Sequence, residues 1–332
     1  MKDTVLYYVI PCYNEEEVLS ETAKRLYAKI SQLVKAQKIS PASRILFVND
    51  GSTDTTWEII SRLHRLDPVF SGLSLSRNRG HQNALYAGLM FAKEYCDVSI
   101  SMDADLQDDV EATDEMIARY EGGCDIVYGV RNNRDTDSWF KRTTARGFYR
   151  LMEHMGVEMI PDCADFRLMD RRALIGLSEF CEVNLFLRGL VPLIGYKTDK
   201  VYYARGKRFA GESKYPLKKM INFSIQGVTS LSVEPIRMIT NTGIIIFLVS
   251  ILFLIWGIVQ KARGVTVAGW SSLIVSIWAI GGLILFSIGI IGEYIGKIYL
   301  ETKHRPRYLI DETLNDGIRK PDISRRSNRP ET

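Results

Sequence analysis

Val98-Ser-Ile-Ser-Met-Asp-Ala-Asp-Leu-Gln-Asp-Asp109 sets a short apolar run directly against a dense group of carboxylates. Residues 98–102 have the length and apolar character of a buried strand. Working outward, four similar runs, Val5–Ile10, Ile45–Val48, Gly72–Leu75 and Ile126–Tyr128, each close in polar or glycine-containing turns, with longer amphipathic stretches between them. That alternation predicts an α/β fold over residues 1 to about 205, a mostly parallel sheet with helices on both faces. In such sheets ligands bind beyond the carboxyl ends of the strands, so the residues after each run are the candidates for chemistry.

Charges as close as those of Asp103, Asp105, Asp108 and Asp109 cost free energy unless a cation offsets them. Hard divalent ions such as Mg²⁺ or Mn²⁺ take oxygen ligands and bridge phosphates, so a nucleoside diphosphate is the natural partner. A helix N-terminus would account for Asp108, Asp109 and Glu111, but less well for Asp103 and Asp105. After the first and second runs stand Pro11-Cys-Tyr-Asn-Glu-Glu16 and Asn49-Asp-Gly-Ser-Thr-Asp54, which taken singly are ordinary turn and cap chemistry. No G-x-G-x-x-G follows the first run and no G-x-x-x-x-G-K-[ST] occurs anywhere, which argues against dinucleotide oxidoreductases and P-loop NTPases.

The 332 residues carry 43 Lys and Arg against 39 Asp and Glu, yet between Ile239 and Gly292 only Lys261 and Arg263 are charged. The chain therefore joins a polar protein to a greasy one, which excludes a wholly soluble enzyme. Its even charge elsewhere argues against a nucleic-acid binder. Ile239 to Gln260 is long enough to cross a hydrocarbon layer of about 30 Å, and so is Gly264 to Gly292. Two spans in a hairpin put both ends on one side. Lys297, Lys303, Arg305 and Arg307 after them, and Arg208, Lys214, Lys218, Lys219 and Arg237 before them, make that side cytoplasmic, as expected of an integral protein of the inner membrane.

Residues 216–237 interleave apolar and polar positions after Lys218 and Lys219, as interface helices do. Residues from about 310 lack periodicity and are expected to be mobile. Met1-Lys-Asp passes straight into a strand-like run, so no cleaved signal peptide is expected. Five cysteines without a C-x-x-C pair and four scattered histidines offer no zinc site and read as reduced thiols.

Six motifs in order resemble the glycosyltransferase family 2 enzymes of GT-A fold, and within them the polyisoprenyl-phosphate glycosyltransferases. They are Ile10-Pro-Cys-Tyr-Asn-Glu15, Asn49-Asp-Gly-Ser-Thr-Asp54, Ser76-Arg-Asn-Arg-Gly-His81, Asp103-Ala-Asp-Leu-Gln107, Asp165-Phe-Arg-Leu168 and Arg208-Phe-Ala-Gly-Glu-Ser-Lys-Tyr215. The two spans look like those of the bactoprenol glucosyltransferases, which points to glucose, although no motif encodes the sugar. The resemblance implies that Pro11, Tyr13, Glu15, Asp50, Gly80 and Asp103 bind the nucleotide sugar. It implies that Asp103, Asp105 and Gln107 hold the donor and its Mg²⁺ or Mn²⁺, Asp105 most directly. Asn49 stands where the family usually has the first of two aspartates.

A lipid phosphate needs cationic forks near the bilayer, for which Arg131 and Lys214 are the leading candidates, with Arg146, Arg208 and Ser213 beside them. Asp165 lies in a turn-like stretch and reads equally as a catalytic base or as a carboxylate that positions a loop by pairing with Arg167 or Arg171.

The expected protein has a GT-A domain at 1–215, interface helices at 216–237, a two-helix hairpin at 238–300 and a basic, mobile tail at 301–332. It would move a hexose, glucose from UDP-glucose by this reading, onto a polyprenyl (undecaprenyl) phosphate at the cytoplasmic face, with inversion and metal assistance. A homo-oligomer is among the states the sequence allows. A processive polysaccharide synthase would share the first half but carries Q-x-x-R-W, which precedes none of the five tryptophans. A catalytically silent scaffold of the same fold would not need its Asp-Ala-Asp.

Overall fold

The computed structural model of the chain describes residues 3–132, 160, 163–183, 185–204, 206, 232–263 and 269–320. The chain divides into two units, one of Met1–Tyr149, Glu158–Pro216 and Arg305–Thr332, the other of Arg150–Val157 and Leu217–His304.

The first unit is built on a sheet of β1 (Leu6–Cys12), β2 (Arg44–Asn49), β3 (Phe70–Leu75), β4 (Val98–Ser101), β5 (Ile126–Arg131), β6 (Cys163–Asp170), β7 (Thr198–Tyr203) and β8 (Ile310–Leu314). Their order across the sheet is β7-β5-β6-β4-β1-β2-β3-β8. β1 pairs in parallel with β2 and β4, β2 with β3 and β5 with β7, while β6 and β8 run antiparallel to their neighbours. Every residue of β1 is buried, because helices cover both faces and a strand there has no polar side.

Among the described residues, six α-helices belong to this unit: α1 (Leu19–Lys35), α2 (Thr56–Leu66), α3 (His81–Ala92), α4 (Thr113–Glu121), α5 (Arg171–Ser178) and α6 (Leu187–Leu193). Alternation along β1 divides the core. Leu6, Tyr8 and Ile10 face one cluster with Leu19, Leu26 and Leu33 of α1, while Tyr7 and Val9 face another with Leu85 and Leu89 of α3. The chain leaves β1 toward β2 and β3 and then returns to place β4 on its other side. That reversal opens a crevice at the carboxyl ends of β1 and β4.

Two stretches differ from their sequence reading. Asp165 to Leu168 is not a turn but lies in β6, paired with β4 through Leu168 to Ile100 and with β5 through Leu168 to Val127. The expectation of a mobile tail over 301–332 is corrected for residues up to 320. There β8 closes the sheet against β3, and Lys320 Nζ lies 2.6 Å from both carboxylate oxygens of Asp97.

The second unit contains α7 (Glu234–Ala262) and α8 (Trp270–Thr302). Each is long enough and apolar enough to cross a membrane, and the most apolar stretch of each is exposed all round. A helix that presents Leu252, Phe253, Leu285 and Phe286 outward is matched to hydrocarbon rather than water. The expected interface helices lie almost wholly outside the described residues, and Glu234 to Arg237 already belong to α7.

Candidate active site

The loops after β1, β2 and β3 are laced to one another. Asn14 Oδ1 accepts from Thr53 N at 2.9 Å, Asn14 N donates to Ser52 Oγ at 3.0 Å, and Glu15 N donates to Thr56 Oγ1 at 2.9 Å. Asn14 takes a positive φ of 54° to do so. Pro11 pairs with Val48 one residue before the end of β1, and Tyr13 projects from the next loop with 46% of its surface exposed, open to stacking on a planar base.

Buried Asp50 turns away from this rim and accepts from Arg79 N at 2.7 Å and Gly80 N at 2.8 Å. Burial raises its pKa, and the two backbone donors oppose the rise. Gly51, at φ 63°, lies so close to the third loop that a Cβ would sit 2.5 Å from the backbone of Arg77 and Asn78. Only glycine fits there.

At the centre His81, the first residue of α3, reaches Asp103 after β4 and Asp165 on β6. Its Nε2 lies 3.2 Å from Asp165 Oδ2 and 3.5 Å from Asp103 Oδ1. Arg188, in the first turn of α6, grips Asp165 with both arms of its fork, Nε to Oδ1 at 3.2 Å and Nη2 to Oδ2 at 3.1 Å. Burial works against charge on both His81 and Asp165. The ion pairs prevail, raising His81 to about 9 and holding Asp165 well below the usual carboxylate range. Asp103 goes the other way, to about 6: burial raises it, His81 opposes the rise, and Asp165, Asp108 and Asp105 add to it.

A divalent cation fits this donor set. Asp103 Oδ1 is buried and accepts no hydrogen bond, and it shares a space less than 4.8 Å across with ligand atoms of His81 and Asp165. Asp165 is already occupied by Arg188 and His81, so Asp103 is the carboxylate best placed to take an ion, with Asp105 near enough to raise its pKa. Asp105 accepts from Gln107 N at 3.2 Å in a tight turn where Leu106 adopts a positive φ of 58°.

Arg131 ends β5 beside this loop. Its Nη2 lies 3.0 Å from Asp108 Oδ1 and its Nε donates to Tyr203 Oη, which in turn donates to Asp108. Glu111, just beyond, is held 2.6 Å from Nζ of buried Lys29 on α1. The loop bearing Asp103 and Asp105 is thus clamped on its far side by two cations.

The structure therefore brings together Asp50 with Gly80, and Asp103 with Asp165, while Arg131 lies on the flank facing Asp108. Arg146, Arg208, Ser213 and Lys214 lie outside the described residues. Asp165 pairs with Arg188 and His81 rather than with Arg167 or Arg171. His81 stands inside the Ser76–His81 motif, which by itself assigns it no role. Arg188 carried no local signal, since only the fold brings α6 to β6.

Comparison with known proteins agrees with this architecture. The model of the glycosyl transferase family 2 matches residues 7–177, and that of the GtrB C-terminal hairpin matches residues 234–298. The chain is 52% identical to the uncharacterized glycosyltransferase YkoT of Bacillus subtilis (strain 168), over 93% of its length and 92% of that protein's. It is 39% identical to the bactoprenol glucosyl transferase of Shigella phage SfV, over 91% of its length and 96% of the relative's. Among solved structures, the mannosyltransferase PcManGT from Pyrobaculum calidifontis in complex with GDP-Man and Mn²⁺ is similar at 14% identity and TM-score 0.47, over 90% of this chain and 85% of that one. With family 2 motifs brought together at the carboxyl ends of β1 to β4 and a match to the hairpin model later in the sequence, the chain belongs to glycosyl transferase family 2, has the GT-A fold and is a glycosyltransferase.

Proposed function

We propose that the chain transfers a hexose, glucose from UDP-glucose, to a polyprenyl phosphate at the cytoplasmic face of the inner membrane. The observation that carries this reading is one chain holding both a carboxylate-lined crevice and two apolar helices, with 39% identity to a bactoprenol glucosyl transferase over 91% of its length. Pro11, Tyr13 and Glu15 form the nucleotide rim, and buried Asp50 supports it from behind by holding the backbone of Arg79 and Gly80. Asp103 and Asp105, with Gln107, hold Mg²⁺ or Mn²⁺, which when bound offsets the charge of the departing diphosphate.

The acceptor needs no carboxylate base. A phosphate monoester with a second pKa of about 6 is already anionic at neutral pH. Asp165 is poorly suited to take a proton, since both its oxygens are occupied and its pKa is held low. Its role is to fix His81 and Arg188 around the reacting centre. Displacement then proceeds in one step with inversion, and cations align the nucleophile. Arg131, tied to Asp108 and Tyr203, braces the Asp103–Asp109 loop. Arg146, Arg208, Ser213 and Lys214 are the remaining ligands proposed for the lipid phosphate.

The return of β8 to the sheet supports the topology. Strands before and after the hairpin share one sheet, so both of its ends lie on the same side of any membrane it crosses. The reaction is tested by following UDP release from UDP-glucose. Release that rises with added polyprenyl phosphate and saturates is the expected result. Release that ignores the lipid but responds to an oligosaccharide primer would reject the reading in favour of a polysaccharide synthase.

A further inference from the structure

The chain that returns after α8 lies across the back of the active site. Ser76 N, at the head of the loop that leads to Gly80 and His81, donates to Leu309 O at 3.0 Å, just before β8 begins to pair with β3. Next to it the Arg307 guanidinium lies 4.4 Å from the ring centre of Tyr86 on α3, and its Nη2 donates to Phe180 O at 2.7 Å. Tyr308 meets the same ring edge-on at 6.4 Å.

Tyr86 is buried and sits one helical turn beyond Gln82. Positions four apart lie on one helix face. Gln82 Oε1 accepts from Leu187 N, at the start of the helix that carries Arg188. His81 precedes Gln82 and touches both Asp103 and Asp165. A continuous set of contacts thus runs from the returning chain through Tyr86 to His81 and Arg188.

We propose that Arg307 and Tyr308 are positioning residues of the transferase: they hold α3 so that His81 and Arg188 meet Asp103 and Asp165. The enzyme completes its own active site with chain that lies beyond its membrane hairpin. Hydrophobic packing alone would not require a cation here. Arg307 is matched to its place twice over, by the face of an aromatic ring and by a carbonyl oxygen.

The test uses the full-length protein carrying Arg307→Ala or Arg307→Lys, with two readouts. Hydrogen exchange, measured without substrate, should rise about tenfold or more across residues 76–92 in Arg307→Ala and stay unchanged in β1 and β2. Steady-state transfer should show kcat lowered about tenfold, with KM for the lipid phosphate unchanged. Arg307→Lys keeps a cation over the ring and should recover most of both effects. Wild-type exchange across residues 76–92 would overturn the proposal, and so would a rise shared equally by β1 and β2, which would mark general destabilisation. The activity arm rests on the transferase reading. Absence of lipid-linked product from the unaltered chain would reject that reading while leaving the exchange result to decide the coupling.

Discussion

At the residue scale the proposed chemistry rests on Asp103, Asp105, Asp165 and His81. Asp103 has a buried oxygen with no hydrogen bond and a pKa pushed up to about 6, so it is poised for a cation. Replacing its neighbour by Asp105→Asn removes one hard ligand and one balancing charge. Turnover should fall by several orders of magnitude and lose its response to added Mn²⁺, as measured by transfer rates over a metal titration. Asp165 calls for a different expectation. Removing its charge leaves Arg188 and His81 facing each other without the carboxylate that both of them contact. Asp165→Asn should therefore lower the unfolding midpoint sharply, yet its single-turnover transfer should keep the wild-type pH profile. Loss of a basic limb from that profile would show a carboxylate base instead. His81 adds a pH dependence to the metal-free protein. Its folded pKa of about 9 exceeds its ordinary value of 6.5, so its contribution to stability is fully present below about 6.5 and disappears as pH rises through 9. In chelator, thermal stability should decline between pH 7 and 9.5, and His81→Gln should flatten that decline.

The close approach of loops and helices to the sheet makes two glycines decisive at the scale of elements. A Cβ on Gly51 would meet backbone at 2.5 Å in a left-handed conformation, so neither the loop nor the residue can adapt. Gly51→Ala should raise the KM for the nucleotide sugar by at least about tenfold, equivalent to ~1.4 kcal/mol. On α3, a Cβ at Gly88 would press within 2.6 Å of Val9 and Val48 side chains, which can partly yield. Overpacking of this kind typically costs about 1–3 kcal/mol, and Gly88→Ala should lose stability in that range by denaturant unfolding. The same packing explains what the sequence discloses. β1 to β5 are legible because burial on two faces demands continuous apolar runs. β6 is not, because Asp165, which serves the site, and Arg167, which packs over the Tyr128 ring, interrupt its apolar run. β7 alternates exposed residues with buried Val201 and Tyr203, and β8 has exposed Ile310-Asp-Glu-Thr313 before half-buried Leu314, paired with β3 through backbone. The carboxylates after β4 could be found by their local crowding, and His81 by its motif. Arg188 required the tertiary fold.

Membrane topology belongs to the whole molecule. With the sheet closed by a strand from beyond the hairpin, Arg263 at the end of α7 and Arg305 after α8 should lie on opposite faces of the bilayer. Arg263→Cys should be labelled by an impermeant maleimide on intact cells, and Arg305→Cys only after lysis, both in a background where exposed Cys181 is replaced by serine. Equal labelling of both from outside would break the hairpin. The central claim, that this membrane-tethered GT-A enzyme glucosylates a polyprenyl phosphate, is tested most directly by incubating the full-length protein with UDP-glucose carrying radiolabel in the sugar and with undecaprenyl phosphate, then extracting with organic solvent. Label should enter the organic phase only when the lipid phosphate is present, and Asp105→Asn should abolish it. Label confined to the aqueous phase, while another nucleotide hexose does pass its sugar to the lipid, would contradict glucose; label that never enters the lipid from any nucleotide hexose would contradict the acceptor.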